Sequence, residues 1–257
     1  MKLAFISDIH ANLPALAAVL KAIKPHAPDD IYCLGDLVNF AGWDNPVIDL
    51  IRQNDISCIQ GNHDEGIGYR HQDFPFSYGN EAQKHFGQLS IRRVNKVITE
   101  ENRRFLADLP FMLQLEFHFP FHNVRIAMVH GSVSGNNEYV QKDTADATLL
   151  EMMAYVNADI LLMGHTHIPY HKAIYGEVEN RKIYRHAINV GSVGKPKDGS
   201  TDACYCILEI HNTIDLGNPD ALNVRFHYIP YNTSEVADRI RMDGMPDAYN
   251  AYLYQQS

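Results

Sequence analysis

The sequence predicts an α/β fold with two sheets packed face to face and helices outside. Two observations lead there. Short apolar runs alternate with helical patterns through the first two-thirds of the chain, and the remainder turns to strand-like runs separated by turn signals. Lys2 to Ser7 reads as a strand, Asn12 to Lys24 as a helix ended by Pro25 and Pro28, and Asp30 to Leu34 as a strand. Asn45 to Gln53 is a helix with Pro46 in its first turn, and Ile56 to Gln60 is a strand. Gly66 to Gly79 reads as an aromatic-rich loop, Asn80 to Asn95 as a helix, and Thr99 as the cap of a helix to Leu109. Met112 to Phe119 and Val124 to Val129 are strands, joined by a turn near His122. Asp143 is placed to cap a helix to Tyr155, and Asp159 to Met163 is a buried strand. Four strands follow at 169–175, 182–189, 203–210 and 223–229, and then a weak helix over Glu235 to Arg241. With no repeat or linker, residues 1–257 read as one domain carrying a helical and loop insertion at about 66–110.

Composition narrows the function. The chain has 257 residues, 46% apolar and 21% charged, which is ordinary globular usage. No apolar run reaches the ~18 residues of a membrane span, and none suits a signal peptide. These features predict a cytoplasmic protein without a membrane partner. A net charge of -9 without a basic run argues against a nucleic-acid polymer as partner. It leaves room for a small phosphate, because bound cations can dominate the local field. The four cysteines, Cys33, Cys58, Cys204 and Cys206, form no C-x-x-C pair and read as reduced core residues.

The 14 histidines matter through their positions. Five strand-like runs end in polar residues: Asp8 and His10; Asp36; Asn62, His63 and Asp64; His130; and His165 and His167. Ligands gather outside the carboxyl ends of strands in open α/β sheets, so if these runs share one sheet the residues meet in one crevice. Asp8 with His10, and His165 with His167, lie two apart and project to one side on extended backbone. The donors are carboxylates, imidazoles and an amide without thiolate, a set suited to Mn, Fe, Zn, Ni or Co. Asp8, His10, Asp36, Asn62, His130, His165 and His167 are too many for one tetrahedral ion and suit two divalent ions sharing a carboxylate. By this chain's composition G-H-x-H is expected about 0.05 times and G-N-H-(D/E) about 0.01 times. A single histidine in such a run is more often a core or loop residue, but five such motifs at strand ends are not so explained.

In this order the motifs resemble the calcineurin-like metallophosphoesterase superfamily, in its small prokaryotic single-domain branch. They are Asp8-Ile9-His10, Gly35-Asp36, Gly61-Asn62-His63-Asp64, His130-Gly131, Gly164-His165-Thr166-His167 and Asn189-Val190-Gly191-Ser192. The resemblance covers residues 1 to about 210 and implies a four-layer α/β/β/α sandwich. It implies a first metal on Asp8, His10 and His167, a bridging Asp36, and a second metal on Asn62, His130 and His165. It also implies attack by metal-bound hydroxide on a small phosphate ester, with manganese supporting activity and His63 protonating the leaving oxygen. Asn62, His63 and Asn12 would contact substrate, with Asn12 alternatively supporting the site from behind.

One departure bears on the substrate. Phosphoprotein phosphatases of this superfamily carry Asp-Arg three and four residues after the bridging Asp, where this chain has Asn39 and Phe40. The arginine that would grip a phosphate dianion is absent. That favours a phosphodiester or nucleotide over a phosphoprotein, with a dinucleoside-polyphosphate hydrolase a further alternative and a non-catalytic protein-interaction scaffold disfavoured. Asn39 could orient His63 through its amide oxygen. Phe74, Pro75, Phe76 and Tyr78 suit a lid or the packing of the insertion. Arg70, His71 and Lys195 could supply substrate contacts, but each is more often a solvated surface residue and they are left outside the site. His26, His85, His118, His122, His171, His186, His211 and His227 are read as surface residues.

Overall fold

A computed structural model describes residues 1–71, 81–120, 123–178, 181–246, 249–250 and 253. The chain opens with β1 (Lys2–Ile6), α1 (Leu13–Ile23), β2 (Asp30–Cys33), α2 (Asp44–Gln53) and a two-residue β3 (Ser57–Cys58). Asn12 starts α1 by accepting the Ala15 N–H on its side chain, and Pro14 sits in the first turn, where its missing N–H costs nothing. Next come α3 (Asn62–Gly68), α4 (Glu81–Val97), α5 (Glu100–Asp108), β4 (Met112–His118) and β5 (Asn123–Val129). The chain continues through α6 (Asp146–Tyr155), β6 (Ile160–Met163), β7 (Tyr170–Val178), β8 (Arg181–Asn189), β9 (Ala203–Glu209), β10 (Asn223–Ile229) and α7 (Thr233–Met242).

The strands form two mixed five-stranded sheets, ordered β10-β9-β1-β2-β3 and β4-β5-β6-β8-β7. β1, β2 and β3 run parallel, as do β5, β6 and β8, with antiparallel strands outside them. The five motif-bearing strands are therefore divided between two sheets, not gathered in one. Side-chain alternation along each strand builds the layers. Leu3 and Phe5 pack with Ile126, Met128, Ile160 and Leu162 between the sheets. Ala4 and Ile6 face α1, α2, α4 and α5 through Leu16, Val19, Val47, Ile48, Ile91 and Leu106. On the far side, Leu161 and Met163 of β6 meet Leu149 and Met153 of α6. β6 is buried on both faces, as its continuous apolar run demands.

Local differences from the sequence reading have local causes. Asp143 does not cap α6, which begins at Asp146 after Ala145, while Thr144 Oγ1 accepts the Gln141 N–H. Residues 62–68 of the expected strand-end and loop region are helical, opened by Gly61 and by Asp64 in the first turn. Phe74, Pro75, Phe76, Tyr78 and His122 lie outside the described residues. His186 is fully buried rather than on the surface, stacked on His171 with ring nitrogens 3.0 Å apart. All four cysteines are free and buried. No described helix is long and apolar enough to cross a membrane.

Truncating fully buried Phe5 to Ala should cost about 3–5 kcal/mol in urea unfolding. Tyr155→Ala, at a position 81% exposed, should change stability by about 0.5 kcal/mol or less. Equal costs at the two positions would contradict this placement of the inter-sheet core.

Candidate metal centre

The crevice forms where the carboxyl ends of the inner strands of both sheets meet. Asp36 Oδ2, following β2, lies 3.3 Å from Nε2 of His130, 3.7 Å from Nε2 of His10 and 3.9 Å from Nε2 of His63. Asp8 Oδ1 lies 3.2 Å from His167 Nε2 and 3.9 Å from His10 Nε2. His10 and His167 face each other Nε2 to Nε2 at 3.2 Å, and His130 Nε2 stands 2.9 Å from Asn62 Oδ1. Among the described residues, three groups of side chains could each hold a cation: Asp8, His10 and His167; His10, Asp36 and His63; and Asp36, His130 and His165. Asp36 belongs to two of the three.

Sharp turns make this convergence possible, and extended pairs do not. Asp8, His10, Ala11, Asp36, Asn39, Phe40, His165 and His167 all have positive φ, between 49° and 79°. Such backbone is costly for a residue with a side chain and persists only where its surroundings enforce it. Here they do so with hydrogen bonds: Asp8, His10 and Ala11 donate N–H to the carbonyls of Gly35, Asp36 and Leu37 at 2.8–3.0 Å. Asp64 accepts N–H from Asp36, Leu37 and Gly61, bracing the β2 turn against α3. Gly61 is required there, because a Cβ would stand 2.2 Å from Asp36 Oδ1.

The hydrogen bonds behind the rings orient them. Nδ1 of His10, His130 and His167 meets the carbonyl of Val38, Leu34 and Lys195 respectively. A proton on Nδ1 satisfies each carbonyl and turns an unprotonated Nε2 into the crevice, the arrangement of a metal-ligating imidazole. Buried Asp8 Oδ1 and His165 Nε2 lack hydrogen-bond partners, while the other Asp8 oxygen accepts the His165 N–H at 3.0 Å. Carboxylate oxygens and ring lone pairs crowded together, with two atoms unsatisfied, fit divalent cations in this crevice.

The electrostatics agree. Burial would raise Asp36, but His130, His63 and His10 outweigh it and hold the carboxyl well below its usual range. Burial lowers His165 to about 4, with His130 adding to the effect. His130 moves the other way: burial lowers it, yet Asp36 prevails and lifts it to about 10. A cation ligated there would displace that proton, since a ligating imidazole is neutral.

Several residues behave differently from the sequence reading. Asn12 is fully buried, its oxygen capping α1 and its nitrogen donating to the Gly194 carbonyl at 3.0 Å, so both ends of its amide are engaged by backbone. Asn39 Oδ1 already accepts from the Phe40 N–H and the Ser90 hydroxyl, so its nitrogen, not its oxygen, faces His63 Nδ1 at 2.9 Å. Ser90 belongs to α4, which brings the insertion into the support of His63. Lys195 is half-buried against the site with Nζ 3.4 Å from the Phe40 ring centre, and the surface reading fails for it. Arg70 is exposed, paired to Glu100 at 2.6 Å, and His71 is exposed. Tyr139, absent from the sequence reading, packs its ring 4.2 Å from His165. A lone Tyr in a polar stretch carries no signal of this contact.

Two sheets sharing a crevice of carboxylates and imidazoles define a metallohydrolase-type centre, and the comparisons agree. The model of the calcineurin-like phosphoesterase superfamily domain matches residues 1–213, and the chain belongs to that superfamily. An uncharacterized protein of Methanocaldococcus jannaschii is 33% identical over 219 residues, covering 80% of this chain and 82% of that protein. The crystal structure of a metallophosphoesterase from Sphaerobacter thermophilus superposes with a TM-score of 0.72 at 25% identity, covering 100% of this chain and 99% of that one. A hypothetical protein from Pyrococcus horikoshii shares the fold, with a TM-score of 0.74 at 19% identity, 100% of this chain and 98% of that one being covered. Superfamily membership implies a phosphoesterase that acts on small phosphate esters with divalent metals.

Manganese added to chelator-treated protein should raise Tm, by the equivalent of about 2.7 kcal/mol at a hundredfold excess over Kd. Asp36→Asn should remove most of that rise. A full rise in Asp36→Asn would show that cations bind elsewhere.

Proposed function

We propose that the chain is a two-metal phosphoesterase that hydrolyses a small phosphate ester, with a phosphodiester or nucleotide preferred. The observation that carries this reading is Asp36, whose carboxylate stands within 4 Å of three imidazoles drawn from both sheets. Asp8, His10 and His167 would hold one ion, Asn62, His130 and His165 the other, and Asp36 would bridge them. When bound, the two cations supply Lewis acidity to the phosphoryl oxygens and lower the pKa of water.

The remaining chemistry falls to the chain's own residues. His63 presents Nε2 to the leaving oxygen, its ring steadied by the Asn39 amide at Nδ1. Asn62 and His63 open α3, so their positions are set by the helix start and by the bond from the His63 N–H to Asp36 Oδ1 at 2.8 Å. Phe40 offers an apolar ring where a phosphatase arginine would provide a fork of donors. A diester carries less charge at phosphorus and does without that fork. Every ligand position and His63 are filled, which favours an enzyme over a scaffold. Manganese is the proposed activating metal, the cytoplasm the proposed compartment, and one domain the proposed working unit.

Two measurements test the reading. His63→Ala should lower turnover about 10²-fold or more while keeping the manganese-induced rise in Tm; equal turnover would remove His63 from the mechanism. With manganese present, a bis-aryl phosphate should be hydrolysed faster than the matching mono-aryl phosphate, and a strong monoester preference would refute the diester assignment.

A further inference from the structure

We propose that Tyr139 is a specificity-determining residue, an aromatic platform on which a planar base of the substrate stacks, so that the preferred ester is a nucleoside phosphodiester whose retained arm carries that base. This deepens the phosphoesterase reading above and rests on it.

The loop between β5 and α6 holds Tyr139 firmly. It leaves β5 through His130 and Gly131, and Gly131 admits no side chain, because a Cβ would stand 2.7 Å from the carbonyl oxygens of Gly135 and Asn136. Ser132 folds the next turn. Its N–H donates to the Gly135 carbonyl at 2.9 Å, and its Oγ accepts N–H from Ser134 and Gly135 at 3.0 and 3.2 Å. The same hydroxyl donates to the Glu138 carboxylate, one residue before Tyr139. Asn136 is buried and donates from its amide to Glu65 of α3 at 3.2 Å. On the other side, Val140 packs in the cluster of Leu149, Met153 and Tyr170, and its carbonyl accepts the Tyr170 hydroxyl at 3.0 Å. Tyr139 is thus pinned between two anchored neighbours, and little further freedom is lost when a ligand settles on its ring.

The ring lies on the centre and yet stays open. Tyr139 and His165 have ring centres 4.2 Å apart and planes inclined by 38°, so the two rings meet largely face to face. Val140 beside it is buried, whereas Tyr139 leaves 46% of its surface exposed. An aromatic ring recruited only to fill the core would be covered on both faces. A phosphoryl group held among Asp36, His130 and His165 sits beside the imidazole that Tyr139 covers, and an ester arm extending past His165 meets the phenol ring.

A second aromatic ring distinguishes the two arms of a diester. Phe40 packs 4.8 Å from His10 and 5.3 Å from His63, ring centre to ring centre. His63 is the residue assigned to the leaving oxygen. Tyr139 touches His165, which belongs with Asp36 and His130 rather than with His10 and His63. The leaving arm and the retained arm therefore meet different rings. A tyrosine face is broad and rigid, and it stacks best on another planar ring, which a nucleobase supplies and an alkyl arm does not. Stacking tolerates any base, so the inference names a class of substrate and not one nucleotide. The net charge of -9 opposes a long polyanion, which assigns the base to a small diester instead of a strand.

The test compares two diesters that share a leaving group, on the full chain with manganese: methyl para-nitrophenyl phosphate and the para-nitrophenyl ester of thymidine 5′-phosphate. The parent should favour the thymidine ester by about tenfold or more in kcat/KM, chiefly through KM. Tyr139→Ala and Tyr139→Leu, the second of which keeps apolar bulk without a planar face, should each bring that ratio below about threefold. Tyr139→Phe should keep most of it. A manganese-induced rise in Tm as large as the parent's marks each variant as folded with its centre intact. A parent ratio near one, a ratio kept by the Ala or Leu variant, or a Phe variant as poor as Ala would each overturn the role of Tyr139 and leave the phosphoesterase reading standing. If the parent hydrolyses neither ester, the phosphoesterase reading falls and the role of Tyr139 falls with it.

Discussion

The structure turns on two carboxylates and their surrounding imidazoles crowded into one buried crevice. Asp8 and Asp36 are buried side by side, and the imidazoles around them have their outer nitrogens tied to backbone carbonyls. Inward-facing lone pairs beside carboxylates repel unless a cation stands between them. The positive φ at Asp8, His10, Asp36, His165 and His167 is held by hydrogen bonds around the turns, such as Asp8 and His10 N–H to the Gly35 and Asp36 carbonyls and His165 N–H to Asp8 Oδ2.

The division of ligands between the sheets follows from the same constraint. Asp8, His10, Asp36, Asn62 and His63 come from the sheet that contains β1, β2 and β3, whereas His130, His165 and His167 come from the sheet that contains β5 and β6. Close packing of Leu3 and Phe5 against Ile126 and Ile160 sets how near the two strand edges approach. A change deep between the sheets therefore reaches the crevice through the spacing of its two walls. Asp64, Asn189 and Ser192 then lock individual loops, each by hydrogen bonds to backbone rather than by contact with substrate.

Much of this was legible before any coordinates. Each ligand motif ends an apolar run, so the meeting of strand ends announces itself in local sequence, and capping at Asn12 and Thr99 can be read from residue type. Sheet membership was not legible, because which of β1, β2, β3, β5 and β6 pair is decided by long-range packing. Nor was the turned backbone at Asp8 and His165, because positive φ is uncommon for any residue with a side chain and the enrichment of Asp and His there is too weak to place it. Lys195 and His186 were misassigned to the surface for one reason: a polar residue's burial depends on what folds over it. For Lys195 that is Phe40, far away in sequence, and for His186 it includes His171 on the neighbouring strand.

The end of the chain has a part in this centre that its distance in sequence conceals. Tyr249 stacks on Phe40 at 5.4 Å, and Arg93 of α4 clasps both Asp44 of α2 and Asp243 just after α7. The aromatic wall beside His63 is thus backed by residues beyond the 213 that match the superfamily domain. A shortened protein ending near Pro230 would retain the carboxylates and imidazoles of the crevice and yet lose the Tyr249 ring behind Phe40. The crevice and the aromatic wall beside it are thus held by different stretches of the chain, the wall in part by residues that follow β10.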